Sequence, residues 1–114
     1  MTDRELLESA AKAAGIDINI GEGSQEEGGW LWPIDNSTGK TWNPLTDDGD
    51  ALRLAVKLNM NLTYDTSPDG AFVFASCSWS GGEESNEVDL GKDAYAATRR
   101  AIVRAAAEIA RNMK

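Results

Sequence analysis

The residues with most chemistry to offer are a set of tryptophans and a run of arginines. Trp30, Trp32 and Trp42 fall within thirteen residues, beside Gly28-Gly29 and Pro33, and Trp79 stands apart. Indole rings in a polar, glycine-rich setting suit a stacking platform for a nucleobase or an anchor in a protein interface. The competing reading is that the rings close one end of the core. Trp30 and Trp32 are the pair expected at the surface, because their segment is short. Pro33 lacks an amide donor and belongs on an edge strand. Arg99, Arg100, Arg104 and Arg111 lie on one predicted helix. They are candidates for holding phosphate groups or an acidic partner, against the reading of an ordinary solvated helix face.

Carboxylates are plentiful. Asp47, Asp48 and Asp50 cluster, but their spacing does not match the alternating oxygens of a calcium loop. Helix capping accounts for all three. Glu22, Glu26 and Glu27 with Glu83 and Glu84 read either as solvated loops or as a surface that docks on a basic protein. No pair of acids is placed by a recognisable hydrolase motif.

The chain contains no histidine. The usual neutral-pH base and the commonest metal ligand are therefore missing, and no Ser-His-Asp or Cys-His nucleophile can be built from this chain. Cys77 is the single cysteine, so an intramolecular disulfide and a cysteine-rich zinc site are excluded. It sits mid-strand in an apolar pattern, as a buried structural thiol does. Gly21-Glu22-Gly23 alone does not make a phosphate-binding loop. No catalytic residue, no cofactor and no metal site is expected.

The elements that must position these groups are readable. At 114 residues, 41% apolar and 26% charged, the chain fits one domain, 1–114, with one core. Thr2-Asp3-Arg4-Glu5 is a capping box that opens a helix over 3–14, and Gly15 suits its left-handed stop. Ile16, Ile18 and Ile20 alternate as a half-buried strand, followed by a glycine-rich acidic loop over 21–29. Trp30 to Ile34 predicts a short edge strand. Asn36 to Gly39 is a turn, and Lys40 to Trp42 completes a loose hairpin.

Residues 48–58 form the second helix, with Leu52, Ala55, Val56 and Leu58 on its apolar face and Asn59 as its left-handed stop. Met60, Leu62 and Tyr64 alternate with Asn61, Thr63 and Asp65 in the next strand, and Ser67-Pro68-Asp69-Gly70 turns it. Ala71 to Trp79 is apolar on both faces, which predicts a central strand covered on both sides. After Ser80-Gly81-Gly82, residues 85–90 alternate with Val88 and Leu90 inward. Asp93 caps a long alanine-rich helix from Ala94 to Met113, with Ala94, Thr98, Ile102, Ala105, Ile109 and Met113 as its buried stripe. Glu108 is expected to pair with Arg104 at i, i+4. The fold class is α+β: an antiparallel sheet of about four to five strands, two or three helices, and a long C-terminal helix.

Two segments carry a family resemblance. One runs Trp42-Asn43-Pro44-Leu45-Thr46-Asp47-Asp48-Gly49-Asp50 into the second helix; the other is Tyr95 to Ile109, with Arg104-Ala105-Ala106. The aromatic-Asn-Pro entry, acidic helix start, antiparallel sheet and final Ala-Arg helix resemble the alpha-beta-alpha sandwich family of tailed phages and prophages, to which NinX-like proteins are similar. The resemblance spans residues 42–109. It implies a phage accessory protein working in a bacterial cytoplasm and assigns no functional residues.

Charge narrows the partners. The net charge is −8, which repels duplex nucleic acid. Residues 91–114 hold six bases and two acids and are the local exception. The charged N-terminal residues do not read as a signal peptide, and no apolar run is long enough to span a membrane. With the lone cysteine, this points to a reducing, cytoplasmic setting. Two functions follow. The first is a non-enzymatic phage protein that binds and modulates a host or defence protein, for counter-defence or host take-over. The alternative is a binder of a small phosphorylated ligand, such as a sponge for a signalling nucleotide. The binding residues expected for either are Trp30, Trp32, Trp42, Arg99, Arg100 and Arg104. Homodimerisation through the edge strand or the last helix stays open.

Overall fold

A computed structural model describes residues 2–22, 31–68, 70–79 and 82–112, without the side chains of 21–22, 31–32, 77–79 and 82–86. Local signals set the helix ends. Helix α1 spans Asp3–Ala14. The Thr2 hydroxyl accepts the Glu5 amide proton at 3.2 Å, and Glu5 Oε1 accepts the Thr2 amide at 3.0 Å. Gly15 ends the helix at φ 72°, where a side chain would be strained.

Strand β1 (Ile18–Glu22) pairs antiparallel with β2 (Leu31–Asp35). The predicted loose hairpin is present: Thr41 bridges Ile34, and the Trp42 amide donates to the Pro33 carbonyl at 2.9 Å. Helix α2 spans Asp48–Lys57 and stops at Asn59, whose φ is 56°. Strands β3 (Asn61–Ser67), β4 (Gly70–Trp79) and β5 (Gly82–Asp89) form a second antiparallel sheet in the order β3-β4-β5. Helix α3 spans Ala94–Arg111, with Asp93 as its cap. The α+β class holds. The five strands divide between a two-stranded and a three-stranded sheet.

Helix α3 is the spine of the molecule. Ala97, Ala101, Ala105 and Ile109 recur at every fourth residue and pack on the sheet with Val73 and Ala75. Ile102, Val103, Ala106 and Ala107 pack on the other side with Leu6, Leu7, Ala10 and Ala11 of α1 and Leu54 of α2. A helix buried on two sides is apolar nearly all round, so its buried surface is far wider than the stripe expected from periodicity. Ala94, expected inside, is exposed. Glu108 pairs with Arg111 at 3.0 Å, not with Arg104.

Two further expectations are corrected. Helix α2 buries Asp50, Ala51, Leu54 and Ala55, while Leu52 and Val56 are exposed. The buried face packs Ala51, Leu54 and Ala55 into the core, and the Asp50 carboxylate, which accepts the Asn43 amide at 2.9 Å, favours the same rotation. Strand β4 is central as expected, but it is not covered on both sides. Val73 and Ala75 are fully buried against α3, whereas Phe72 and Phe74 are half-buried and belong to neither core cluster. Helices α1 and α2 pack on α3, and among the described elements no helix lies on that second face. Gly21 and Glu22, expected in a loop, continue β1, and Gly82, expected in a turn, opens β5; the expectations for 23–29, Asp69, Ser80-Gly81, Met113, and the side chains of Glu22, Cys77, Trp79, Glu83 and Glu84 fall outside the described part.

Candidate functional site

The most distinctive surface lies where α2, α3 and β3 meet. Its frame is an ion pair. Arg99 Nε donates to the Leu45 carbonyl at 2.9 Å, and its Nη1 lies 2.6 Å from Asp48 Oδ1. The Arg99 side chain is only 17% exposed. It joins the middle of α3 to the start of α2, where Asp47 caps the helix by accepting the Asp50 amide at 2.8 Å. The Asp47, Asp48 and Asp50 cluster is thus spent on capping and on tying elements together.

Beside that brace runs a groove of about 290 Å³. Ala51 and Leu52 line it from α2, Leu62 and Tyr64 from β3, and Tyr95, Thr98 and Ile102 from α3. Leu52 is 60% exposed, Tyr64 55% and Tyr95 73%. Val56, one turn beyond Leu52, is exposed too. These four are the exposed large hydrophobics among the described residues, and three of them line one groove. Scattered exposed apolar residues are ordinary; a gathered set is not.

The hydroxyls at the groove are ordered. Thr98 donates to the Ala94 carbonyl at 2.8 Å. Its proton is therefore used, and the 2.8 Å contact between Tyr64 and Thr98 has Tyr64 as donor. The Tyr64 ring is thereby fixed at the rim, and the Tyr95 hydroxyl makes no hydrogen bond among the described residues. An apolar floor, two tyrosines and a paired charge are equipment for binding. No nucleophile stands next to a base in it.

The residues expected from sequence scatter. Trp30 lies outside the described residues. Trp32 is in β2, and its side chain is not described. Trp42 is buried, 6% exposed, and packs in the core with Leu54. Arg99 lines the groove but is held by Asp48 and Leu45. Arg100 pairs with Asp3 of α1 at 2.9 Å. Arg104 is exposed beside Glu108 and Arg111 in a small cleft. The arginines therefore do not form one binding face. The groove residues were missed because 52, 64 and 95 lie on three elements with no common spacing. The one available signal was an excess of apolar residues around α2 beyond what one buried face needs.

Among the described residues, no three of Cys, Asp and Glu come together as metal ligands would, and no helix is long and apolar enough to cross a membrane. No family model, curated protein or solved structure matches the chain. The likeness of residues 42–109 to the phage sandwich proteins rests on the quoted motifs alone.

Proposed function

We propose that this chain works by binding, and that it docks a protein partner whose amphipathic helix lies in the groove between α2 and α3. The observation that carries this reading is the gathering of Leu52, Tyr64 and Tyr95 around one concavity. Helix-in-groove docking uses apolar anchors at i, i+3 and i+4 set into such a trough. Tyrosine supplies contact area and a polar tip at low entropic cost. The net charge of −8 selects a helix with a basic outer face.

The phage resemblance supplies the setting: a non-enzymatic accessory protein acting on a host or defence protein in a bacterial cytoplasm. The absence of histidine fits a binder, since no side chain here has an unperturbed pKa near neutrality.

Site-specific photocrosslinking in bacterial cells tests this. A benzophenone amino acid replacing Tyr95 or Leu52 is expected to give one discrete protein adduct, identified by mass. The same probe replacing Thr63, exposed on the opposite sheet face, is expected to give none. Equal adducts from all three positions, or none from the groove, would refute the assignment.

A further inference from the structure

Helix α2 has a second working side. Asp50, Arg53, Leu54 and Lys57 recur at i, i+3, i+4 and i+7, and together they face the segment from Asp35 to Trp42. Between them lies a cleft of about 430 Å³, within the range of small-molecule sites. It lies on the far side of α2 from Leu52 and shares no lining residue with the apolar groove.

Three cations line it in a strongly acidic protein: Lys40, Arg53 and Lys57. Arg53 is engaged, 2.7 Å from Asp50 Oδ1 and 3.9 Å from Asp47. Lys40 and Lys57 are exposed, and neither ammonium makes an ion pair or hydrogen bond among the described residues. Both acids of the cleft already accept hydrogen bonds from the protein. Asp50 accepts from Asn43 and Arg53. Asp35 accepts the Ser37 amide and hydroxyl, both on Oδ1, at 2.9 and 2.7 Å. Those Ser37 bonds hold the Asp35 carboxyl below its ordinary range, with the charge of Lys57 adding to them. Asp35 lines the cleft, and its Oδ2 accepts neither of the Ser37 bonds. The apolar floor consists of Ile16, Trp42 and Leu54.

We infer that this cleft binds a small phosphate monoester carrying a flat apolar group and a hydroxyl or amino donor, of which a nucleoside monophosphate is the simplest. Lys40 and Lys57 take the phosphoryl oxygens as mobile point charges. Asp35 Oδ2 accepts from the donor, and the flat group lies on the floor beside Trp42. An anion without an apolar body would leave that floor wet, and an apolar molecule without charge would leave both ammonium groups unmatched. This site is independent of the partner-docking reading.

Isothermal titration of the full chain tests it, with the four ribonucleoside 5′-monophosphates, adenosine and inorganic phosphate as probes. At least one nucleotide is expected to bind saturably. The Lys40→Gln, Lys57→Gln double variant should weaken it about tenfold or more, as loss of charge-assisted hydrogen bonds does. Both lysines are exposed, so the thermal melt should be unchanged and a failure to fold would be seen there. Leu52→Asp, in the groove, should leave nucleotide binding intact whatever it does to a protein partner. The inference is overturned if none of the four nucleotides binds at millimolar concentration, if the double variant binds as the wild type does, or if inorganic phosphate binds as tightly as the best nucleotide.

Discussion

Helix α3 meets its two helical neighbours in opposite ways. Toward α1 the seam is closed: Leu7 and Val103 have no exposure, and neither do Ala10 and Ala106. Small side chains let the two helices approach, and the contact excludes water. Toward α2 the seam is open at its outer edge, where Leu52, Tyr64 and Tyr95 stand around a groove and Arg99 of α3 is tied to Asp48 at the start of α2. The same helix thus uses alanine to seal one side and bulky residues, braced by charge, to keep the other available. Residues of the sealed side should govern stability, and residues of the open side should govern association.

The sharpest way to break this contrast is to cut one residue from each side. Leu7→Ala, at the sealed seam, should cost about 2–5 kcal/mol in denaturant unfolding, through lost burial and a residual cavity. Tyr95→Ala, at the open groove, should change stability by no more than about 0.5 kcal/mol. Comparable losses in both would mean that the groove is ordinary core. Next in size is Asp50→Ala. It strips the acceptor from the Asn43 amide and from Arg53 and should cost about 1–3 kcal/mol. It should also expose Leu54, because the rotation of α2 is no longer pinned; faster proton exchange of the α2 amides would report this.

The smallest effect lies at the far end of α1. Thr2→Ala removes the hydroxyl that accepts the Glu5 amide, leaving the residue-2 amide free to donate to Glu5, and should cost about 1 kcal/mol at neutral pH. Amide and hydroxyl donation by Thr2 hold the Glu5 carboxyl below its ordinary range. A carboxyl lowered on folding stabilises above its unfolded pKa of about 4.3 and stops doing so as pH falls through the folded value. Only the hydroxyl's share of that bonding is lost in Thr2→Ala, so the gap between wild type and variant should be full at neutral pH and narrow in part below about pH 4. A gap that widens in acid would contradict the hydrogen-bonded carboxylate.

The contrast also explains which parts of the molecule the sequence disclosed. Capping chemistry is local, so the helix starting at Asp3, its stop at Gly15 and the left-handed Asn59 are legible from a few residues each. The central place of β4 is legible from its length and from apolar residues on both faces. What covers each face is not, because Phe72 alternates with Val73 whether or not a helix lies above it. Alanine is equally ambiguous: it favours a helix in any setting and says little about which side is buried, so the width of the buried surface on α3 was hidden. On α2, Leu52 and Val56 had the look of a core stripe. Leu54 goes inward instead, where it packs with α1 and α3, and the Asp50–Asn43 bond, made across a turn, holds α2 in that rotation. Both concavities are assembled from distant segments; of the tryptophans and arginines singled out by type, Trp42 lines the cleft and Arg99 the groove, while Arg100 and Arg104 lie elsewhere.

The central claim is that Leu52 and Tyr95 form an association surface. Quantitative capture by the immobilised chain from a bacterial lysate tests it most directly. Wild type would be compared with the Leu52→Asp, Tyr95→Ala double variant and with the Lys40→Gln, Lys57→Gln variant as a matched control, all verified as folded. The account predicts one protein held at fixed stoichiometry by wild type and by the lysine variant, and reduced about tenfold or more by the groove variant. Equal retention of that protein by all three would contradict it.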